Sequence, residues 1–154
     1  MSDWGGKNSR PRNKKPAHGK NLAAKSSPNM LYLLRGPSGS GKTTFANTLL
    51  KAGIVDHVFE ADDWMVDDTG NYKHDRSRLK YCHAECQRRT KQALERGENV
   101  AVANTLTKRW EVECYTQMTP NVTVITMEGR FPNVHDVPED IVALQRVRME
   151  RWHK

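Results

Sequence analysis

The stretch "LRGPSGSGKTTFA", residues 34–46, restricts the possible folds more than any other part of the chain. Its pattern Gly36-x-x-x-x-Gly41-Lys42-Thr43 follows the short apolar run "MLYLL" and opens "KTTFANTLLKAG", in which Phe45, Leu49 and Leu50 recur at helical spacing. A glycine loop between a buried strand and a helix lets successive backbone N–H groups converge on an anion, and the positive end of the helix reinforces them. Glycine is needed where a side chain would collide with that anion or where the backbone turns left-handed. Gly36, Pro37, Ser38, Gly39, Ser40, Gly41, Lys42, Thr43 and Thr44 are therefore the expected phosphate-binding residues of a nucleotide site. Lys42 would reach the β and γ phosphates and Thr43 would offer its hydroxyl to magnesium, so ATP and Mg2+ are the expected cofactors.

The rest of the chain alternates strand-like and helix-like stretches. Met30–Leu34 is the first expected strand, and "HVFEADDW" is a second that ends in paired acids. Asp75 suits the N-cap of a long helix running to about Arg96 and closed by Gly97. "NVAVANT" is a third strand, "KRWEVECYTQM" a helix capped by Thr107 and stopped by Pro120, and "NVTVITME" a β-branched fourth strand. "VPEDIVALQRVRMERW" closes the chain as a helix, with acids in its first turn and arginines near its end as the helix dipole prefers. This alternation predicts a three-layer α/β/α sandwich around a mainly parallel sheet of about four strands, with ligands at the carboxyl ends of the strands.

Charge divides the chain into two parts. Of the net +7, residues 1–29 hold seven Lys or Arg against Asp3, whereas residues 30–154 hold 18 against 17 acids. The first 29 residues carry too few apolar side chains to offset the entropy of ordering them, so a disordered basic tail is expected ahead of a domain spanning residues 30–154. Such a tail could solubilise the protein or hold polyanions weakly and salt-dependently. Three cysteines without a CxxC suggest neither a disulfide framework nor a zinc site, and Cys82 and Cys86, four apart on one helical face, are expected in the core. With no apolar run near the ~20 residues of a membrane span, the expectation is a soluble cytoplasmic protein.

A phosphate loop does not itself choose among kinase, switch and ATPase. Asp62 and Asp63 after the second strand supply the acid that could take a proton from an attacking hydroxyl or hold hydrated magnesium. Asn104 and Thr105 end the third strand and can hydrogen-bond a substrate.

The segments "LYLLRGPSGSGKTTFA", "EADDW", "YKHDRSRLKYCHAECQRRTKQALERGENVAVANT", "WEVECYTQM" and "NVHDVPEDIVALQRVRMERW", in this order, resemble the small phosphate-loop kinases of the bacteriophage polynucleotide-kinase type. They are still more similar to the polynucleotide-kinase-like ATPase domains classed with AAA-family proteins, from about residue 30 to the end. The resemblance implies a P-loop NTPase with kinase-like strand order, and, if the gene is phage-borne, residence in a host cytoplasm. It implies that Asp62 is the general base activating a 5′-hydroxyl and that His83 faces the ligand edge; Asp63 and Thr43 are the residues expected to serve magnesium. Three positions depart from the family. Ala103-Asn104-Thr105 lacks the acid usual at that corner, Met65 stands where the polynucleotide kinases hold substrate with an arginine, and only "GRFPNVHD" occupies the place of an arginine-bearing lid helix. Arg130 is the one arginine of that segment and the candidate for stabilising charge on the transferring group, with His135 its other cation. The expected activity is γ-phosphoryl transfer from ATP to a hydroxyl, on a polynucleotide 5′ end or a nucleotide. The alternatives are a nucleotide-binding interaction module with incidental hydrolysis, or a small-metabolite or nucleoside kinase.

Overall fold

The computed structural model describes residues 29–131 and 137–152; the expected basic tail, apart from Asn29, and His135 lie outside them. Four strands, β1 (Leu31–Arg35), β2 (His57–Phe59), β3 (Val100–Asn104) and β4 (Val122–Thr126), form one sheet in the order β2-β3-β1-β4. All pairings are parallel, with Leu31 opposite Val100 on one side and Val122 on the other. Helix α1 (Lys42–Lys51) connects β1 to β2, α2 (Leu79–Glu95) β2 to β3, and α3 (Arg109–Thr116) β3 to β4, while α4 (Glu139–Arg148) follows β4.

Handedness explains the layering. The β1-to-β2 connection passes over β3 in one direction and the next two connections run back, so right-handed crossovers put α1 on one face and α2 and α3 on the other. The two apolar clusters agree. Leu34, Ala46, Leu49 and Val58 pack on the α1 face, and Leu31, Leu33, Cys86, Leu94, Val112 and Tyr115 on the opposite one. A strand covered on both faces should be apolar throughout, and every residue of β3 is buried. Cys82 and Cys86 are in the core as expected; burial raises both thiol pKa values, that of Cys86 to about 12, which keeps them protonated. Trp64 is likewise buried. No helix among the described residues is long and apolar enough to cross a membrane.

Four sequence expectations need correction. The second strand stops at Phe59 because Ala61 N–H donates to the Asn104 side chain at 2.7 Å and Glu60 N–H to Asp63 Oδ2 at 3.0 Å, which turns Ala61–Trp64 into a 3-10 helix. Asp75 does cap, accepting from Ser77 N–H at 3.0 Å, but it caps the short 3-10 helix Arg76–Arg78 that leads into α2. Lys108, not Thr107, is the N-cap of α3, and its N–H donates to Glu111 Oε1 at 3.0 Å. Asn29, assigned to the tail by composition, is bound into the domain through its side-chain amide, which donates to Leu94 O.

Candidate functional site

The phosphate loop, the turns after β2 and β3, the segment after β4 and one side of α4 converge at the carboxyl edge of the sheet. They line a cavity of about 1170 Å3. Gly41, at φ 98, is the N-cap of α1, a left-handed position that a residue with a Cβ adopts only under strain. No side chain caps α1, so its first N–H groups face the cavity mouth without an internal acceptor. Ser40 Oγ, 1% exposed for the residue, has no hydrogen-bond partner among the described residues. An uncapped helix start and an orphaned hydroxyl in one loop fit a phosphate group that would satisfy both.

Lys42 folds over this loop and donates to Gly36 O at 2.8 Å and Pro37 O at 2.9 Å. Burial lowers its pKa to about 8, against the opposing pull of Glu60 and Asp62, because two neutral carbonyls replace less hydration than an ammonium loses. The segment after β4 lies across the loop from the other side. Phe131 N–H donates to Gly39 O at 2.7 Å, and a Cβ on Gly129 would stand 2.8 Å from Ser40 O. From α4, Gln145 Oε1 accepts from Ser38 N–H at 2.8 Å.

The model of the AAA domain family matches residues 31–128 of the chain. The chain belongs to the AAA domain family. This AAA domain is similar in fold to a gluconokinase from Sinorhizobium meliloti 1021, with 18% identity over 82% of this chain and 77% of the other, at a TM-score of 0.58. It is similar at 14% identity to a chain of the Pnkp1/Rnl/Hen1 RNA repair complex, covering 85% of this chain and 46% of that one, at a TM-score of 0.62. Shikimate kinase from Aquifex aeolicus vf5 matches at 15% identity over 78% of this chain and 79% of the other, with a TM-score of 0.52. The parallel four-strand sheet with helices on both faces is thus the phosphate-loop, kinase-like α/β fold that the sequence predicts.

Most residues singled out in the sequence of this AAA domain share the cavity. Ser38 to Thr44, Asp62, His83, Asn104 and Thr105 all line it, and Gly36 and Pro37 contribute the carbonyls that hold Lys42. His83 has a lowered pKa, burial outweighing Glu111 and Asp62, so it is neutral at pH 7. Asn104, expected as a substrate contact, also braces the neighbouring turn. Its amide oxygen holds Ala61 N–H and its NH2 points to Cys86 Sγ and Tyr115 OH, both at 3.5 Å, so it fixes the turn that carries Asp62.

Two expected site residues are not brought to the cavity. Asp63 is 6% exposed and its carboxylate accepts from Glu60 N–H, as half of a reciprocal cap in which the Glu60 side chain accepts from Asp63 N–H. The cap engages its carboxylate, and Asp63 is not among the residues that line the cavity. Arg130 is exposed and absent from the cavity lining. The cavity instead contains Glu60, directly after β2, and His74, Arg76 and Arg148, none of which the sequence motifs pick out. Glu60 directly follows a strand, which could have drawn attention to it. Gln145 and Arg148 are three apart, so they share a face of α4, yet their spacing also suits an ordinary solvated helix.

Proposed function

We propose that this AAA domain is an ATP- and magnesium-dependent phosphotransferase that moves the γ-phosphoryl group to a hydroxyl. The observation that carries the reading is that Lys42 of the phosphate loop and the carboxylate of Asp62 line one cavity, near enough for Asp62 to raise the proton affinity of Lys42. Loop amides and Lys42 would hold the phosphates, and Asp62 would accept the proton of the attacking hydroxyl. No group of three or more His, Cys, Asp or Glu among the described residues would hold a metal by itself, which suits an ion carried largely by phosphate oxygens. Thr43 and the cavity acid Asp62 are the residues that would meet magnesium, whose chemistry when bound is to neutralise charge building on the phosphates. Arg148, which lines the cavity, would stabilise charge on the transferring group; Arg130, the arginine expected in that role, does not line it.

For the acceptor we favour a 5′-hydroxyl on a nucleotide or polynucleotide. Tyr72, His74 and Arg76 all line the cavity, an aromatic ring, an imidazole and a guanidinium, which is chemistry suited to a base and a phosphate. A smaller uncharged acceptor is supported by Met65, wholly buried and lining the cavity where a cation would grip a substrate phosphate. Asp62→Asn tests the central role. Transfer should fall by about 10²- to 10⁴-fold while ATP affinity is kept, and transfer at the wild-type rate would remove Asp62 from the chemistry.

A further inference from the structure

The most buried charge in the domain belongs to a residue that the proposed chemistry does not use. Arg35 ends β1, directly before Gly36, and is 0% exposed. Among the described residues its guanidinium has no carboxylate partner, and it bonds backbone carbonyls and one threonine hydroxyl. Nε and Nη2 donate to Leu106 O at 3.0 and 2.9 Å, Nη2 also to Thr107 O at 3.2 Å and Glu150 O at 2.7 Å, and Nη1 to Thr126 Oγ1 at 3.2 Å. Burial lowers its proton affinity despite Glu150 and Glu111, so the charge is kept at a cost that the surrounding structure must offset.

The partners of this charge explain what it does. Leu106 has φ 48, a left-handed conformation that costs a branched side chain energy, and its carbonyl takes two of the Arg35 bonds. Thr105 and Thr107, on either side, line the cavity. Glu150 lies two residues beyond the end of α4. Besides its carbonyl bond to Arg35, its N–H donates to Thr107 O at 2.7 Å, and its carboxylate accepts from Arg109 N–H at 2.9 Å and Lys108 Nζ at 3.4 Å. Through Glu150 the Arg35 guanidinium fixes the end of α4, the helix that sets Gln145 on the Ser38 amide and brings Arg148 to the cavity.

We infer that Arg35 is a positioning residue that locks the turn after β3 and the end of α4 into one unit, so that Arg148 and Gln145 are held against the phosphate loop. The inference rests on the proposed phosphoryl transfer for its effect on rate, and on geometry alone for the mechanical link. Arginine is suited to the task because one planar fork bonds acceptors from three separate segments.

Arg35→Lys and Glu150→Ala test it in the full chain. Glu150→Ala weakens the same attachment from an exposed side chain, so it avoids placing a new group in the core. The expected result for both is a kcat lowered by about 10- to 100-fold, the scale of a small misplacement at a reacting centre. Binding of a non-hydrolysable Mg-ATP analogue should be unchanged, and amide exchange across residues 139–148 faster. Unchanged kcat alongside faster exchange overturns the positioning role. So does a parallel loss of kcat, nucleotide affinity and unfolding stability with exchange in α4 unaltered, which would make Arg35 a fold residue only. If the wild type transfers no phosphoryl group, the proposed activity fails separately, and exchange decides the link: acceleration upholds it and unchanged protection overturns it.

Discussion

Raising the pH from about 7 to about 9 should weaken nucleotide binding about tenfold, and the cause is a single lysine. Lys42 has a pKa of about 8 in the nucleotide-free loop, because it is buried and bonded only to the neutral carbonyls of Gly36 and Pro37. Triphosphate charge favours the ammonium form, so binding raises this pKa and the complex holds more protons than the free domain at any pH above about 8. Affinity must then fall as pH rises through that value. One unit below the pKa about ten lysines in eleven are charged and one unit above about one in eleven, a ratio near tenfold or about 1.4 kcal/mol. The same arithmetic gives an uptake of about 0.9 proton per nucleotide near pH 9 and about 0.1 near pH 7. Calorimetric titration with a non-hydrolysable Mg-ATP analogue, in two buffers of different ionisation enthalpy, measures both quantities. Lys42→Met should bind weakly with no proton uptake. A wild-type affinity that is flat between the two pH values, with no uptake near pH 9, would refute the reasoning.

Other substitutions probe the walls of the same site. Gly129→Ala would put a Cβ 2.4 Å from the Phe131 ring and 2.8 Å from Ser40 O, and since the second contact is backbone the loop itself must shift; ATP affinity should fall by about 10-fold or more, at the ~1–3 kcal/mol of an overpacked contact, read by the same titration. Arg148→Ala should reduce kcat by about 10²-fold or more with ATP binding kept, while Arg130→Ala leaves kcat unchanged in the same steady-state assay. Asn104→Leu would orphan the buried Ala61 N–H and lower unfolding stability by about 1–3 kcal/mol in a urea titration.

The fold was legible because its two signals are local. A glycine loop between a strand and a helix sets the first βα unit, and the alternation of apolar strands with capped helices sets the parallel sheet covered on both faces; the face of each helix follows only once the strand order is known. The turn after β2 was not legible from periodicity, since "FEADDW" continues a plausible strand and only Asn104, 43 residues away, takes the Ala61 N–H out of the ladder. The same contact shows why paired acids did not mean paired functions. A reciprocal cap occupies Glu60 and Asp63 and leaves Asp62 to the cavity. Arg35 drew no attention in the sequence because its acceptors lie 71 to 115 residues away and are nearly all backbone, which carries no side-chain signature. The last helix ends at Arg148, short of the expected Trp152, for a related reason: Met149 is extended, at ψ 111, and Glu150 bonds to Arg35 and Thr107 instead of continuing the turn.

The most direct test of the central claim is to follow label from γ-labelled ATP with magnesium when the full chain is offered a 5′-hydroxyl oligonucleotide, nucleosides and simple polyols. Phosphoryl transfer predicts label on a hydroxyl of one of these acceptors, lost in both Lys42→Ala and Asp62→Asn. Label released only as free phosphate, or label on an acceptor at the same rate in Asp62→Asn, would contradict it.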